Sequence, residues 1–310
     1  MRLAIIGRSE FLYDTAEQLR TGGHDIGLVI TCREAPEYRR TVEDFRRLAV
    51  ECGAVFLQSA TLESTEAAET MARAGTIDVA VSVNFTGIVS QSVIDRFRLG
   101  ILNAHGGDLP RYRGNACQAW AIVNGEERIG LCVHRMVGGA LDSGDILARA
   151  YRPLAIDDRI GEILEWIGTE APRLFLEAVA RLETDPHYVL ERQSTDPAHA
   201  LRCYPRQPSD ARIDWRATNE QVLRLINASS EPYAGAFCDL DGQRLTIWRA
   251  RLDNDAERYL AVPGQIAAID RDGSVVVICG RGKLRITEVA RDETRCAPAL
   301  LVSSTRKRLN

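Results

Sequence analysis

Through the first part of the chain, short apolar runs alternate with stretches whose apolar positions recur every three or four residues. Leu3–Ile6, Ile26–Ile30, Val55–Leu57 and Val79–Val83 are the runs. Between them, Phe11, Thr15, Ala16 and Leu19, and then Val42, Phe45, Leu48, Ala49 and Cys52, fall at helical spacing. A continuous apolar run has no polar face to turn to solvent, so these strands are expected to be buried in a mostly parallel sheet covered by helices, an α/β arrangement. Gly22-Gly23 and Gly53 stand where the two helices should stop. Further strands are expected over Gly100–Ala104 and Gly130–Arg135, with helices over Ala116–Asn124 and from about Gly161 to Leu182.

The texture changes after that long helix. Asp185-Pro186, Asp196-Pro197, Tyr204-Pro205 and Gln207-Pro208 favour extended, linker-like backbone. The expected division is a first domain over residues 1–205, with its linker from about 185, and a smaller second domain over 206–310. In the latter, Thr218-Asn219-Glu220-Gln221 reads as a capping box opening a helix through Ala228. Five short apolar runs follow, at Ala236–Leu240, Arg244–Arg251, Gly264–Ile269, Ser274–Cys279 and Lys283–Val289, parted by turn pairs such as Asp241-Gly242 and Asp272-Gly273. A small antiparallel barrel is the expected result.

Composition narrows the classes. At 310 residues and 45% apolar content, there is material for one sizeable core and a second smaller one. The net charge of −4 divides unevenly: residues 1–205 carry 22 Lys/Arg against 29 Asp/Glu, whereas residues 206–310 carry 17 against 14. That excess of +3 is too small to mark a nucleic-acid surface, which needs clustered cations, and Arg306-Lys307-Arg308 reads as a solvated end. Eight cysteines lie scattered without CxxC pairs or companion histidines at zinc spacing, so neither a metal site nor a disulfide framework is signalled. No stretch approaches the ~18 uninterrupted apolar residues of a membrane span. A soluble protein of the reducing cytoplasm is expected.

The informative segment is Leu102-Asn103-Ala104-His105-Gly106-Gly107-Asp108-Leu109-Pro110-Arg111-Tyr112-Arg113-Gly114, which leaves an expected strand and enters a loop rich in glycine and polar groups. Such loops at the carboxyl ends of strands are where open α/β sheets bind ligands. Asn103 and His105 stand two apart, so in extended backbone their side chains point to one side. Asp142 lies in a second glycine-rich loop, Met136 to Asp145. An amide donor, an imidazole and a carboxylate together suit acyl transfer: the amide meets an oxyanion, the imidazole handles protons near neutral pH, and the carboxylate tunes it. Gly7-Arg8-Ser9-Glu10 lacks the later glycines of a dinucleotide fingerprint, so NAD is not expected.

The stretch Asn103-x-His105, then Leu109-Pro110-x-Tyr112-Arg113-Gly114, then Leu141-Asp142-Ser143-Gly144-Asp145, resembles the 10-formyltetrahydrofolate-dependent formyltransferases. Ala211–Trp215 and Pro232–Phe237 in the second domain fit the same family, and the likeness spans most of residues 1–250. It implies a Rossmann-like sheet followed by an OB-like barrel, with 10-formyltetrahydrofolate as formyl donor and no metal. Asn103, His105 and Asp142 are implied to be catalytic. The pterin is implied to lie between the loop after Val83 and the loop before Asp142, with Asn84, Phe85, Thr86, Ile88, Leu109, Val137, Gly139 and Leu141 as donor-binding residues. Arg8, Asp108, Arg111, Tyr112 and Arg113 are the candidates for the acceptor, since arginine forks suit phosphate.

Two features depart from the family pattern. Gly107-Asp108-Leu109-Pro110 stands where many relatives have Ser-Leu-Leu-Pro, and Gly138-Gly139 lengthens the run to Asp142 by one residue. Asn115–Glu126 and His134–Val137 are more similar to the amino-sugar nucleotide N-formyltransferases than to the tRNA enzymes, so a nucleotide-linked amino sugar is the expected acceptor. A hydroxyornithine-type amine and methionyl-tRNA stay open, as does a homodimer. From another class, a non-catalytic folate- or nucleotide-binding module and a formate-releasing hydrolase remain. Trp120 is expected to fill the core beneath its helix.

Overall fold

In the computed structural model, which describes residues 1–254 and 256–310, each apolar run of the first part is a strand. The elements in order are β1 (Arg2–Gly7), α1 (Glu10–Thr21), β2 (Asp25–Thr31), α2 (Val42–Cys52), β3 (Val55–Gln58), α3 (Thr65–Ala74), β4 (Val79–Val83), α4 (Gln91–Ile94) and β5 (Ile101–His105). Then come β6 (Tyr112–Gly114), α5 (Cys117–Asn124), β7 (Arg128–Arg135), β8 (Ile146–Pro153), α6 (Ile160–Thr184) and β9 (Leu201–Cys203). The chain forms two units. The first comprises Met1–Cys117, Ile129–Arg152 and Leu164–Cys203, and the second comprises Gln118–Arg128, Pro153–Ile163 and Tyr204–Asn310. Two excursions of chain before residue 164 thus belong to the second unit, which no change in composition announced.

The sheet of the first unit has seven strands in the order β3-β2-β1-β4-β5-β7-β8. β3, β2, β1, β4 and β5 pair in parallel, and β7 lies antiparallel to β5. Full burial of β4 and near-full burial of β1 and β2 explain their unbroken apolar sequence. Thr41 opens α2 with a capping box to Asp44, and Gly53 closes it in the left-handed conformation that a residue without a Cβ adopts freely. α3 was not expected. Its buried face is Ala67, Thr70, Met71 and Ala74, too small and mixed to stand out as an apolar stripe. β8 was missed for a related reason: it is a sheet edge, buried only over its first three residues.

Residues 185–203 do not act as a free linker. Extended backbone offers unpaired amides and carbonyls, and here they are used: Ile146 N–H donates to Glu191 O at 2.8 Å, and β9 pairs in parallel with β6.

In the second unit, α7 (Asn219–Ser229) carries the expected capping box between Thr218 and Gln221. β10 (Ala236–Leu240), β11 (Gln243–Asp253), β12 (Ile266–Ile269), β13 (Val275–Ile278), β14 (Lys283–Arg291) and β15 (Thr294–Cys296) form an antiparallel sheet ordered β10-β11-β14-β13-β12, with β15 on β14. Trp215, Ile226, Leu245, Ile247, Val277, Leu284 and Leu309 are buried together beneath it. The three-residue β15 was too short to register in the sequence. The basic tail keeps Arg306 and Arg308 exposed to solvent, but its backbone is not free: Leu240 bridges to Leu309 and Gln265 to Arg308, so one segment pairs with both edges of the sheet. Among the described residues, no helix is long and apolar enough to cross a membrane.

Candidate active site

The site begins as a register. β5 and β7 pair so that Asn103 stands opposite His134 and His105 opposite Cys132. Opposed residues of an antiparallel ladder share a face, as do residues two apart on one strand. Asn103, His105 and His134 therefore converge, and the two imidazoles meet edge to face with centroids 6.3 Å apart. Asp142 comes from the loop between β7 and β8, in left-handed backbone with φ 47°. Its Oδ2 accepts the Gly114 N–H at 2.9 Å and lies 3.5 Å from His105 Nδ1, and its Oδ1 lies 3.5 Å from His134 Nε2. The three residues singled out from the sequence are thus assembled, with one addition. His134 was read only as a marker of family subgroup; a histidine directly following the apolar run Ile129–Val133 on the same strand was the available signal.

Hydrogen-bond partners assign the tautomers. His105 Nε2–H donates to Tyr112 O at 2.7 Å, which leaves Nδ1 as the basic nitrogen, facing Asp142. His134 Nδ1–H donates to Arg135 O at 2.9 Å, so its Nε2 accepts from Asn103 Nδ2 at 3.3 Å. That contact fixes which way the Asn103 amide points, with one Nδ2–H bound to His134.

Burial pushes the His105 pKa below its ordinary 6.5, more than the Asp142 carboxylate opposite raises it. Burial disfavours charge on Asp142 too, but the two histidines and the Gly114 amide overcome this and hold its carboxyl well below the usual range. The site at neutral pH is therefore a neutral imidazole beside a firmly ionised carboxylate. If His105 accepts a proton during turnover, competence is lost only as pH falls through its lowered value. The acid limb of kcat/KM should then have its midpoint below 6.5. A midpoint above that would contradict a buried neutral His105.

Gly107 makes the His105 bond sterically feasible. A Cβ there would sit 2.6 Å from His105 Nε2 and 2.7 Å from Tyr112 O, the two atoms that are bonded. Gly107→Ala should lower turnover by about tenfold or more through displacement of the imidazole; a steady-state assay at wild-type rate would show that the ring is not held this way.

The other sequence candidates fall into groups. Ile88, Val137 and Leu141 are large, exposed apolar side chains on two loops, and Gly138 N–H donates to Gln91 Oε1 at 3.0 Å, tying the Val137–Leu141 loop to α4. Asn84 has φ 55° and Gly139 φ 74°, Phe85 packs against the core, and Thr86 Oγ lies 3.7 Å from Cys32 Sγ. Leu109 has its side chain buried with Cys132 and Ile146, and its carbonyl accepts from Arg149 at 2.7 Å. Asp108 is likewise held by Arg149, at 3.2 Å, so the carboxylate that departs from the family pattern is neutralised within the unit. Arg8 donates to Arg33 O and Asn84 O at 2.7 and 3.2 Å, Tyr112 is buried, and Arg111 is exposed with its guanidinium over the Tyr112 ring. Arg113 is turned inward, onto Gln193 and Ser194. In the second unit, Trp120 is only part-buried, and its Nε1–H donates to Tyr204 O at 2.9 Å.

Comparison with known proteins adds the family context. Residues 1–179 match the formyl transferase family model, and residues 206–302 match the model of the formyl transferase C-terminal domain. Methionyl-tRNA formyltransferase of Agathobacter rectalis is 28% identical over 292 residues, covering 93% of this chain and 91% of that protein. The protein of the same name from Ruegeria pomeroyi is 30% identical, with 94% and 92% covered. Among solved structures, an N-formyltransferase from Helicobacter canadensis, in complex with folinic acid and dTDP-3-aminofucose, aligns with TM-score 0.68 at 15% identity, over 92% of this chain and 98% of that one. HypX from Aquifex aeolicus in complex with tetrahydrofolic acid aligns with TM-score 0.61 at 18% identity, over 98% and 47%.

Proposed function

The chain belongs to the formyl transferase family, and on that premise we propose that it moves a formyl group from 10-formyltetrahydrofolate to the primary amine of a nucleotide-linked amino sugar. The observation that carries the chemistry is the convergence of Asn103, His105 and His134 on one face of the β5–β7 ladder, with Asp142 against both imidazoles. The acceptor amine attacks the formyl carbon. Its oxygen gains charge and meets the remaining Asn103 Nδ2–H, the amine's proton passes to His105 Nδ1, and Asp142 balances the imidazolium. The bond from the formyl carbon to the carrier nitrogen then breaks, and that nitrogen leaves with the proton that His105 Nδ1 took from the amine, which returns the imidazole to its neutral form. Ile88, Val137 and Leu141, with the backbone of Asn84–Ile88 and Val137–Leu141, offer the apolar walls and amide groups that a flat pterin needs.

Support for a small acceptor comes from how the cations are spent. In the loop before α2, Arg39 lies 3.8 Å from Glu10, and Arg40 lies over Tyr13 and 3.8 Å from Asp44. In the second unit, Arg212 pairs with Asp239, Arg216 with Asp214, Arg249 with Glu231, and Lys307 with Asp241. Cations neutralised within the protein release few counterions from a polynucleotide. A methionyl-tRNA acceptor is the second reading, favoured by the names of relatives that match over both domains.

The test is incubation with 10-formyltetrahydrofolate and, separately, a panel of nucleotide-linked amino sugars, hydroxyornithine and methionyl-tRNA, followed by mass spectrometry. Gain of one formyl group on a nucleotide sugar is the expected result. Formylation of tRNA alone would overturn the acceptor, and release of formate without any amine would mark a hydrolase.

A further inference from the structure

Asp142 is held from behind as well as in front. Its backbone is left-handed, a conformation that a non-glycine residue adopts at a cost and that persists where neighbours over-determine it. The neighbour here is Gln193, a buried residue of the extended segment before β9. Gln193 Nε2 donates to Asp142 O at 3.0 Å and to Gly144 O at 2.6 Å, and its Oε1 accepts from Arg113 at 3.1 Å. Both amide hydrogens are thereby used, and both are spent on the loop that carries the carboxylate. Arg113 is itself anchored to Ser194 O at 3.1 Å, and its chain neighbour Gly114 gives Asp142 Oδ2 the backbone bond. One carboxamide thus ties together the two loops that build the site.

We propose that Gln193 is a positioning residue for the reaction, holding Asp142 in the left-handed backbone from which its carboxylate reaches both histidines. The inference rests on the catalytic reading of Asp142 given above. The residue acts at no reacting atom; it spans the turn between β7 and β8 and couples it to the β6 loop through Arg113. The titratable and charged groups facing His105 are the Asp142 carboxylate, the His134 imidazole and the Arg113 guanidinium, so movement of Asp142 removes the one group of opposite charge. The consequence has a sign. Asp142 raises the His105 pKa against burial, so a displaced carboxylate lowers it further and moves the acid limb of the rate profile to lower pH.

Two substitutions separate positioning from folding. Gln193→Met keeps the volume and removes all three bonds. Gln193→Glu keeps a partner for Arg113 but cannot, when ionised, donate to Asp142 O or Gly144 O. Both should lower kcat by about 10- to 100-fold, the scale expected when a reacting group is misplaced by an ångström. KM for 10-formyltetrahydrofolate should change less than about threefold if uniform binding of the donor is untouched. The acid limb should move to lower pH in Gln193→Met, with Asp142→Asn run alongside; in Gln193→Glu the added carboxylate opposes that shift, and kcat is the readout. Wild-type kcat in both variants and an unmoved acid limb in Gln193→Met, with Asp142→Asn inactive, would overturn the role of Gln193 alone. So would a lowered melting temperature with an unmoved acid limb, which is what a purely structural residue would give. Asp142→Asn at wild-type rate would instead overturn the catalytic reading beneath it.

Discussion

Replacing His105 with alanine should lower turnover by on the order of 100-fold or more, and Asn103→Ala should match it, with the fold of both variants intact. In the proposed mechanism the two residues act at opposite ends of one charge transfer. Asn103 presents a hydrogen to the oxygen that becomes negative, already aimed because its other amide hydrogen is bound by His134 Nε2 at 3.3 Å. His105 presents Nδ1 to the proton leaving the amine, with Asp142 Oδ2 at 3.5 Å to balance the resulting charge. A donor fixed in advance costs no reorganisation when charge develops, which is why deleting one such group is so damaging. Single-turnover rates on the formylated product measure this directly. Near-wild-type rates in both variants would remove these residues from the chemistry, whichever amine is the acceptor.

The largest expected effect on stability lies at the far end of the chain. Leu309 is 1% exposed within the core of the second unit, and Leu→Ala at such sites costs about 2–5 kcal/mol. Its backbone is committed as well: Leu309 N–H donates to Gly264 O at 2.9 Å, and Asn310 and Asp239 exchange bonds of 2.9 and 2.7 Å. A Cβ on Gly264 would sit 2.0 Å from Leu309 O, so the two chains approach as closely as glycine permits. Leu309→Ala should therefore lower the unfolding free energy of the second unit's transition, read from denaturant titration at unchanged m, by an amount in that range. Trp120, Trp215 and Trp248, three of the four tryptophans, lie in that unit and report on it by fluorescence. A loss below about 0.5 kcal/mol, the scale of ordinary surface changes, would mean that the tail is dispensable.

Much of the fold was legible. Where an element buries a continuous face, as β1, β2 and β4 do, its apolar pattern is complete and the strand is unmistakable. The capping box of α7 behaves in the same way, because Thr218 and Gln221 sit three residues apart. Elements went unseen where burial is partial or side chains are small. β8 is an edge, α3 buries alanines and one methionine, and β6, β9 and β15 each have three residues and exist only because a partner segment runs beside them. The pairing of the tail's backbone went unseen because charge near a terminus says nothing about the backbone groups of the edges it meets.

The site divides along the same line. Asn103 and His105 are two apart on one strand, so their shared face follows from the alternation of extended backbone, and the family motif supplies Asp142. Those relationships are local or carried by resemblance, and the sequence by itself was enough for them. His134 enters only through the register of β5 on β7, 31 residues apart, and Gln193 only because a proline-rich segment 51 residues beyond Asp142 returns to lie behind it. Arg113 and Asp108, which residue type alone marked for an acceptor, are instead consumed by Gln193 and Arg149. A hydrogen bond is made by whichever donor and acceptor the folded chain brings within about 3 Å. Residue type determines what a side chain is able to do; the packing of distant segments decides what remains for it to do.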